Sequence, residues 1–355
     1  MSSPSPYDMS CTVRRLGLAA LLIAWLQQPA AAQSPTPDPH YDPVAAPTPW
    51  VDRGTSPVTA GSDPANDPGI DAPNGDHKLA AALTLGGIYA GFTTWTYFAW
   101  YRKHKALSQF KWGGDGWLGL QTYAGGADKF GHAWATMSLA RVGTELLNQW
   151  GGFDRLPSTL VATALSEALF LGVEVKDGFF YEFSFSDATG DTLGALAALA
   201  FSLWPRLDEL LDYRVEYWPS AEYRRQFDGG NVNIAEDYSG ETYLLALHLG
   251  AIRALRDQSW GSWTQFVDVA AGFGTQGYKP DPPSRMFPDY QHHQNLYLGV
   301  SLNAQGVFDW LLRGRSEPAR KITHGLFEVF NAPFTFVPLL EDSRTPTGQV
   351  MTGGA

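Results

Sequence analysis

The chain has 355 residues, of which 44% are apolar, 14% aromatic and only 17% charged, and its formal net charge is −11. So many large apolar side chains exclude a wholly disordered protein, because their burial offsets the entropy lost on folding. The acidic balance argues against a nucleic-acid partner, since binding to phosphates requires a basic surface.

The N-terminus resembles an export signal. Two arginines precede an apolar run over residues 16–26, and three alanines, residues 30–32, follow it. This order predicts a secretory signal peptide over residues 1–32. The apolar run is too short to cross a hydrocarbon core of about 30 Å. The only cysteine, Cys11, falls in the predicted signal, so we expect the mature protein to lack a disulfide and a lipidation site.

A long polar segment separates this signal from the first predicted helix. Residues 33–76 hold ten prolines and seven aspartates, which predicts a disordered tether. Residues 79–101 then carry no charge, end in an aromatic cluster and precede a basic stretch, residues 102–105. Length and flanks fit a membrane span. The glycines in this segment fit a buried helix of a soluble bundle as well, so both interpretations stay open.

Three further helices are predicted, over about 129–150, 157–178 and 187–204. Pro205 interrupts the last one, and residues 207–213 could continue it as an amphipathic turn or two.

Beyond Pro219 the pattern changes to strand-like alternation, in residues 243–249, 264–270 and 295–303. We therefore predict a mainly α protein with a four-helix apolar bundle over residues 77–219. Whether this bundle is embedded in a membrane stays open. A small antiparallel β region of three or four strands, over residues 220–355, completes an α+β fold.

Charged side chains interrupt the apolar helices at a few positions. Three predicted helices carry them: Asp128, Lys129 and His132 on the first, Glu174 and Asp177 on the second, and Asp187 and Asp191 on the third. Asp128 and His132 lie four residues apart, which places them on one helix face. The candidate catalytic residues are His132, Asp128, Glu174 and Asp177, and the candidate binding residues are Lys129, Asp187 and Asp191.

Charges in an apolar bundle are costly unless they are paired, hydrated or bound to metal. In a structural interpretation, which we favour, Lys129 and His132 pair with acids of the second helix, and Asp187 caps the third. In a catalytic interpretation, His132 is a base oriented by Asp128 beside those acids. In a third, the imidazole and carboxylates bind a divalent metal. No second histidine lies at helical spacing, so the metal stays unspecified, and no cofactor is predicted.

Short runs in the helical region resemble the YfiM-type family of predicted bacterial periplasmic lipoproteins, a domain of unknown function. The runs are Trp100-Tyr101, Phe110-Lys111-Trp112, Asp115-Gly116-Trp117, Asp128-Lys129-Phe130-Gly131-His132, Glu174 to Phe179, Phe183 to Asp187 and Asp237 to Tyr243. The resemblance covers about residues 97–245. It implies an envelope location and a helical core. Asp191 replaces an asparagine of many members, and the lipidation cysteine is missing. The order of Asp-Lys, His, Glu and Asp is also distantly similar to VanZ-like membrane proteins.

The common hydrolase, phosphate-binding and zinc-protease motifs are absent from the sequence. We therefore favour a structural or accessory protein of the bacterial cell envelope, exported to the periplasm and associated with a membrane, over an enzyme. The alternative is a membrane-proximal hydrolase or transferase, metal-assisted or not, that acts on lipid or cell-wall precursors. A membrane lipid or an envelope protein is the expected partner, and inner and outer membrane are equally open.

Overall fold

The apolar runs of the sequence form long helices in the computed structural model. It describes residues 76–114, 116–228, 233–279, 292–313 and 317–345. The predicted signal peptide, and all but the last residue of the predicted tether, lie outside the described residues.

Four long helices occupy the predicted positions: α1 (Lys78–Thr96), α2 (Ala127–Glu145), α3 (Arg155–Phe180) and α4 (Phe185–Leu203). A π-helical turn extends α1 over Tyr97–Tyr101 and α2 over Leu146–Trp150. α2, α3 and α4 pack against one another in pairs. α1 contributes Ala81 and Leu85 to a small core with Leu147 and Ala162. The arrangement of all four helices as one bundle stays a prediction.

Among the described residues, one helix, α3, is long and apolar enough to cross a membrane. Core helices of soluble proteins can be equally long and apolar, and 39% of the most apolar stretch of α3 is buried. The segment 79–101, where the sequence also fits a membrane span, is helical but does not combine the length and hydropathy of a spanning helix.

Two glycines let α2 and α4 approach closely. A Cβ atom added at Gly190 would lie 2.9 Å from the carbonyl oxygen of Lys129, and one at Gly194 would lie 2.2 Å from that of Ala133. Small residues four positions apart are typical of tightly packed helix pairs. The close approach brings the polar residues of α2 and α4 within hydrogen-bonding distance.

The C-terminal part forms a six-stranded sheet, larger than the three or four strands predicted. The strands are β3 (Leu211–Tyr217), β4 (Glu241–His248), β5 (Val267–Gln276), β6 (His293–Leu302), β7 (Phe330–Asn331) and β8 (Phe336–Arg344). Their order in the sheet is β7-β3-β4-β5-β6-β8, in which β7 is parallel to β3 and the other neighbours are antiparallel. The three predicted strands overlap β4, β5 and β6, although residues 264–266 of the second belong to a 3-10 helix. The mixed α+β class is confirmed.

The prediction for residues 207–213 was partly wrong. A short helix, α5 (Pro205–Leu210), is followed at once by β3. Leucine, tyrosine, valine and tyrosine alternate along β3 with charged residues, so its period of two was available in the sequence. Asp212 and Arg214 are buried in β3. The sequence does not show their burial, so these two charges fitted the exposed side of an amphipathic helix end equally well.

Shorter elements complete the fold. They are the helices α6 (Ala221–Asp228), α7 (Arg253–Arg256), α8 (Ala304–Leu311) and α9 (Glu317–Val329), and a parallel pair of two-residue strands, β1 (Trp112–Gly113) and β2 (Phe183–Ser184). The pairing of β1 with β2 places an aromatic segment beside the start of α4. The main core lies between α2 and the sheet, where Ala127 packs with Tyr243 and Phe273.

Candidate functional site

Three helices bring the predicted polar residues into one cluster. The cluster consists of Asp128, Lys129 and His132 from α2, Glu174 and Asp177 from α3, and Asp187 and Asp191 from α4. α2 begins after Gly126, whose φ of 88° is a backbone conformation that side chains other than glycine rarely adopt. In the first two turns of α2 after this glycine, Lys129 contacts Asp187 and His132 contacts Asp191 of α4. The junction of the three helices is therefore the candidate site.

Lys129 joins α2 to α4 through a buried ion pair. Its Nζ lies 2.6 Å from Asp128 Oδ2 and 2.8 Å from Asp187 Oδ1, and its side chain is 6% exposed. Asp187 does not cap α4 as predicted. The cap is Ser184, whose side chain accepts a hydrogen bond from the Asp187 backbone N–H. Asp187 lies in the first turn, where its charge also interacts favourably with the helix dipole.

His132 stands between two acids that are more deeply buried than itself. Its Nδ1 lies 3.0 Å from Asp191 Oδ1, and its Nε2 lies 3.7 Å from Glu174 Oε1. The imidazole is 20% exposed, whereas the side chains of Glu174 and Asp191 are 2% and 0% exposed. Thr136 also donates to Asp191 Oδ1, at 3.0 Å. Asp191 thus holds the imidazole in the orienting role that we expected of Asp128.

The acids of α3 have partners outside the three-helix junction as well. The backbone N–H of Ser184 donates to Glu174 Oε2 at 3.3 Å. The hydroxyl of Tyr101 donates to Asp177 Oδ1 at 2.7 Å and so connects the end of the first helical segment to α3. Tyr101 and Ser184 both belong to runs of the family resemblance, but nothing in their spacing identified their partners.

Burial and crowding of acids change the pKa values of the cluster. Burial raises the pKa of Glu174 to about 8 against the opposing effect of His132. Burial also raises the pKa of Asp177 to about 6, although the hydrogen bond from Tyr101 opposes the shift. Burial lowers the pKa of His132, but the charge of Asp191 and the other acids outweighs it, so the pKa lies well above its usual value. The cluster therefore retains protons around neutral pH.

The geometry allows two kinds of chemistry. A histidine oriented through Nδ1 by a buried carboxylate can accept or donate a proton at Nε2, beside a glutamic acid that is protonated near neutral pH. Alternatively, His132, Glu174 and Asp191 each offer a ligand atom, and these atoms lie within 4.8 Å of one another. Lys129 and Asp128 are not members of that group.

Comparison with known proteins supports the envelope location. Residues 114–202 match the model of a family described as predicted periplasmic lipoprotein (DUF2279). The family resemblance is confirmed for this segment, and so is an exported, envelope-associated localisation. All seven predicted site residues lie inside the matched segment. Comparisons of the chain with curated proteins and with solved structures gave no match.

Proposed function

We propose that this protein is an accessory protein of the cell envelope that docks on a lipid membrane through the outer faces of α3 and α4. The observation that carries the proposal is the reversed polarity of α3. Five of its nine buried positions are polar, namely Ser158, Thr159, Thr163, Ser166 and Glu174, and the other four are Ala162, Phe170, Val173 and Gly178. A helix at a water-facing surface has the opposite arrangement, with its polar residues outside.

The exposed stripe of α3 carries no charged residue along its whole length. It consists of Leu156, Pro157, Leu160, Val161, Ala164, Leu165, Ala168, Gly172, Val175 and Phe179. The exposed positions of α4 are also uncharged, namely Phe185, Thr192, Leu193, Leu196 and Leu203. A continuous apolar surface of this kind marks a place of contact with lipid or protein.

Aromatic and basic residues at one end of this surface favour lipid. Trp112 and Phe185 are 65% and 59% exposed, and their rings stack with centroids 5.7 Å apart. The backbone of Lys111 donates to the carbonyl oxygen of Gly178, which holds this aromatic segment at the end of α3. The exposed basic stretch 102–105 precedes it in a chain that is acidic overall. Exposed aromatic rings and cations are typical of the headgroup region of a bilayer.

Flotation of the purified mature protein, without the predicted signal peptide, with lipid vesicles tests the proposal. We expect the wild type to float with vesicles that contain phosphatidylglycerol, and less with purely zwitterionic vesicles. The double variant Leu160→Asp, Leu165→Asp should lower the bound fraction by about tenfold or more, because each aspartate in a hydrocarbon environment costs about 3 kcal/mol.

The matched control is Leu339→Asp, Leu340→Asp on β8, where both leucines are more exposed than Leu160 and Leu165. This control should float like the wild type. The proposal is wrong if the wild type does not float, or if both double variants lose binding equally. A wild-type dimer that the α3 variant dissociates, with flotation unchanged, would assign the apolar surface to a second copy instead.

A further inference from the structure

We propose that His132, Glu174 and Asp191 form a binding site for one divalent transition-metal ion of zinc-like chemistry. The three residues come from α2, α3 and α4, and one ligand atom of each lies within 4.8 Å of the other two. A cation at this point would contact all three helices. This inference does not depend on membrane docking, because the three ligands lie between the helices, whereas the docking surface is the outer faces of α3 and α4.

Glu174 and Asp191 have no lysine or arginine in ion-pair contact among the described residues. Lys129 lies 2.6 Å from Asp128 and 2.8 Å from Asp187, and its ammonium is therefore committed to that pair. Glu174 and Asp191 face only the imidazole of His132 as a basic group among the described residues. Two carboxyl groups so deeply buried can both be ionised only when a further cation supplements the single imidazole.

The second oxygen of Asp191 points to the same conclusion. Asp191 is fully buried, and its Oδ1 accepts from Thr136 and contacts His132. Its Oδ2 is shielded from water and has no hydrogen-bond partner in the part of the chain that the structure describes. A buried carboxylate oxygen without a partner carries a large desolvation cost, which a bound cation removes.

In a second group of acids, arginine side chains supply the positive charge. Asp208, Asp212 and Glu328 also place carboxylate oxygens within 4.8 Å of one another. There Arg141 pairs with Asp208 at 2.7 Å and with Glu328, while Arg214 pairs with Asp212. Protein guanidinium groups thus supply the positive charge in the second group, and the cluster around His132 has no arginine of this kind among its described contacts.

The donor set selects the kind of ion. Calcium and magnesium bind almost only to oxygen, whereas an imidazole nitrogen with two carboxylate oxygens suits zinc and its neighbours in the first transition series. Three protein ligands leave room in the coordination sphere for water. The partial exposure of His132, at 20%, gives an ion a route into the otherwise buried site.

Zinc binding to the purified full-length protein, without vesicles, is the test. Isothermal titration calorimetry and metal analysis after dialysis should show one zinc ion per chain, and zinc should raise the melting temperature. His132→Ala, Glu174→Gln and Asp191→Asn should each weaken zinc binding by about 100-fold or more, since even residues behind metal ligands contribute 10- to 100-fold. Magnesium and calcium should not compete at millimolar concentration.

The matched controls are His324→Ala and Asp309→Asn. His324 Nδ1 lies 3.0 Å from Asp309 Oδ2, and neither residue belongs to the cluster around His132. Both control variants should bind zinc like the wild type. X-ray absorption of the zinc-loaded wild type needs no variant and should show nitrogen and oxygen ligands at about 2.0–2.2 Å with one imidazole. Absence of stoichiometric zinc, equal binding by the ligand variants, or a spectrum with no imidazole overturns the site.

Discussion

Lys129 shows how much a single residue of the cluster contributes to the fold. Its ammonium is almost completely removed from water and contacts one acid on its own helix and one on α4. Such a pair costs desolvation when it forms, so its net contribution is small. Loss of one partner is different, because the remaining charges stay buried without compensation.

We predict that Lys129→Met lowers the free energy of unfolding by about 3–5 kcal/mol, because it leaves Asp128 and Asp187 without their cation. Urea denaturation followed by circular dichroism measures the change. The control is Arg344→Met, which breaks the exposed pair of Arg344 with Asp342 and should cost less than about 1 kcal/mol. Equal effects of the two variants would show that burial of the Lys129 pair contributes nothing.

The partners of the cluster residues could be predicted less well than the residues themselves. Helical periodicity identified Asp128 and His132 as neighbours on α2, and they do share a helix. It could not show that His132 contacts Asp191, because that contact depends on how α2 and α4 rotate against each other. The close approach at Gly190 and Gly194 fixes the rotation, and it arises only when the helices pack.

At the scale of elements, the strands with a clear apolar alternation could be predicted and the others could not. β4, β5 and β6 matched the sequence pattern. β8 was missed because Pro338 interrupts its pattern, and proline is tolerated in it because it lies at the edge of the sheet. β3 was missed because two of its buried positions are Asp212 and Arg214, and a buried ion pair cannot be told from an exposed one in the sequence.

The buried face of β3, β4 and β5 holds a second polar network. His248 Nε2 lies 2.9 Å from Asp212 Oδ2, and its Nδ1 lies 2.9 Å from Asp268 Oδ1. Arg214 lies 2.8 Å from Asp268 and also pairs with Asp212. Burial lowers the pKa of His248, but the two aspartates outweigh this effect and raise it to about 9. Two cations therefore balance two anions across three strands.

This network predicts a loss of stability at alkaline pH. A histidine with a raised pKa stabilises the folded state below its unfolded pKa of about 6.5, and the contribution disappears as pH rises through about 9. The difference in unfolding free energy between the wild type and His248→Asn should shrink by up to about 3 kcal/mol over this range. Urea denaturation of both proteins from pH 6 to 10 measures it. Burial raises the pKa of Glu174 and of Glu241 to about 8, and the subtraction removes the titration of these two groups. A difference that stays constant with pH would contradict a charged His248.

At the scale of the whole molecule, α2 connects the helices to the sheet. Phe130 on the sheet-facing side of α2 stacks on Phe273 with centroids 4.4 Å apart, and its carbonyl oxygen accepts from the hydroxyl of Tyr213 at 2.8 Å. The ring nitrogen of Trp134 donates to the carbonyl oxygen of Val329 at 2.8 Å. His132, on the far side of the same helix, contacts Glu174 of α3 and Asp191 of α4. Residues on both sides of position 219 therefore contribute to one core, and the domain boundary at that position stays a prediction.

A shared core should make the helices and the sheet unfold together. We predict that Phe130→Ala lowers the unfolding free energy by about 3 kcal/mol, near the lower end for a buried phenylalanine because its ring is only partly covered. Far-ultraviolet circular dichroism and tryptophan fluorescence should shift by the same amount in urea, for the wild type and the variant alike. Phe227→Ala on α6, where the ring is 55% exposed, should change stability by less than about 0.5 kcal/mol. Separate transitions in the wild type would mean that α2 connects two independently stable units, and Phe130→Ala would then shift one signal and leave the other in place.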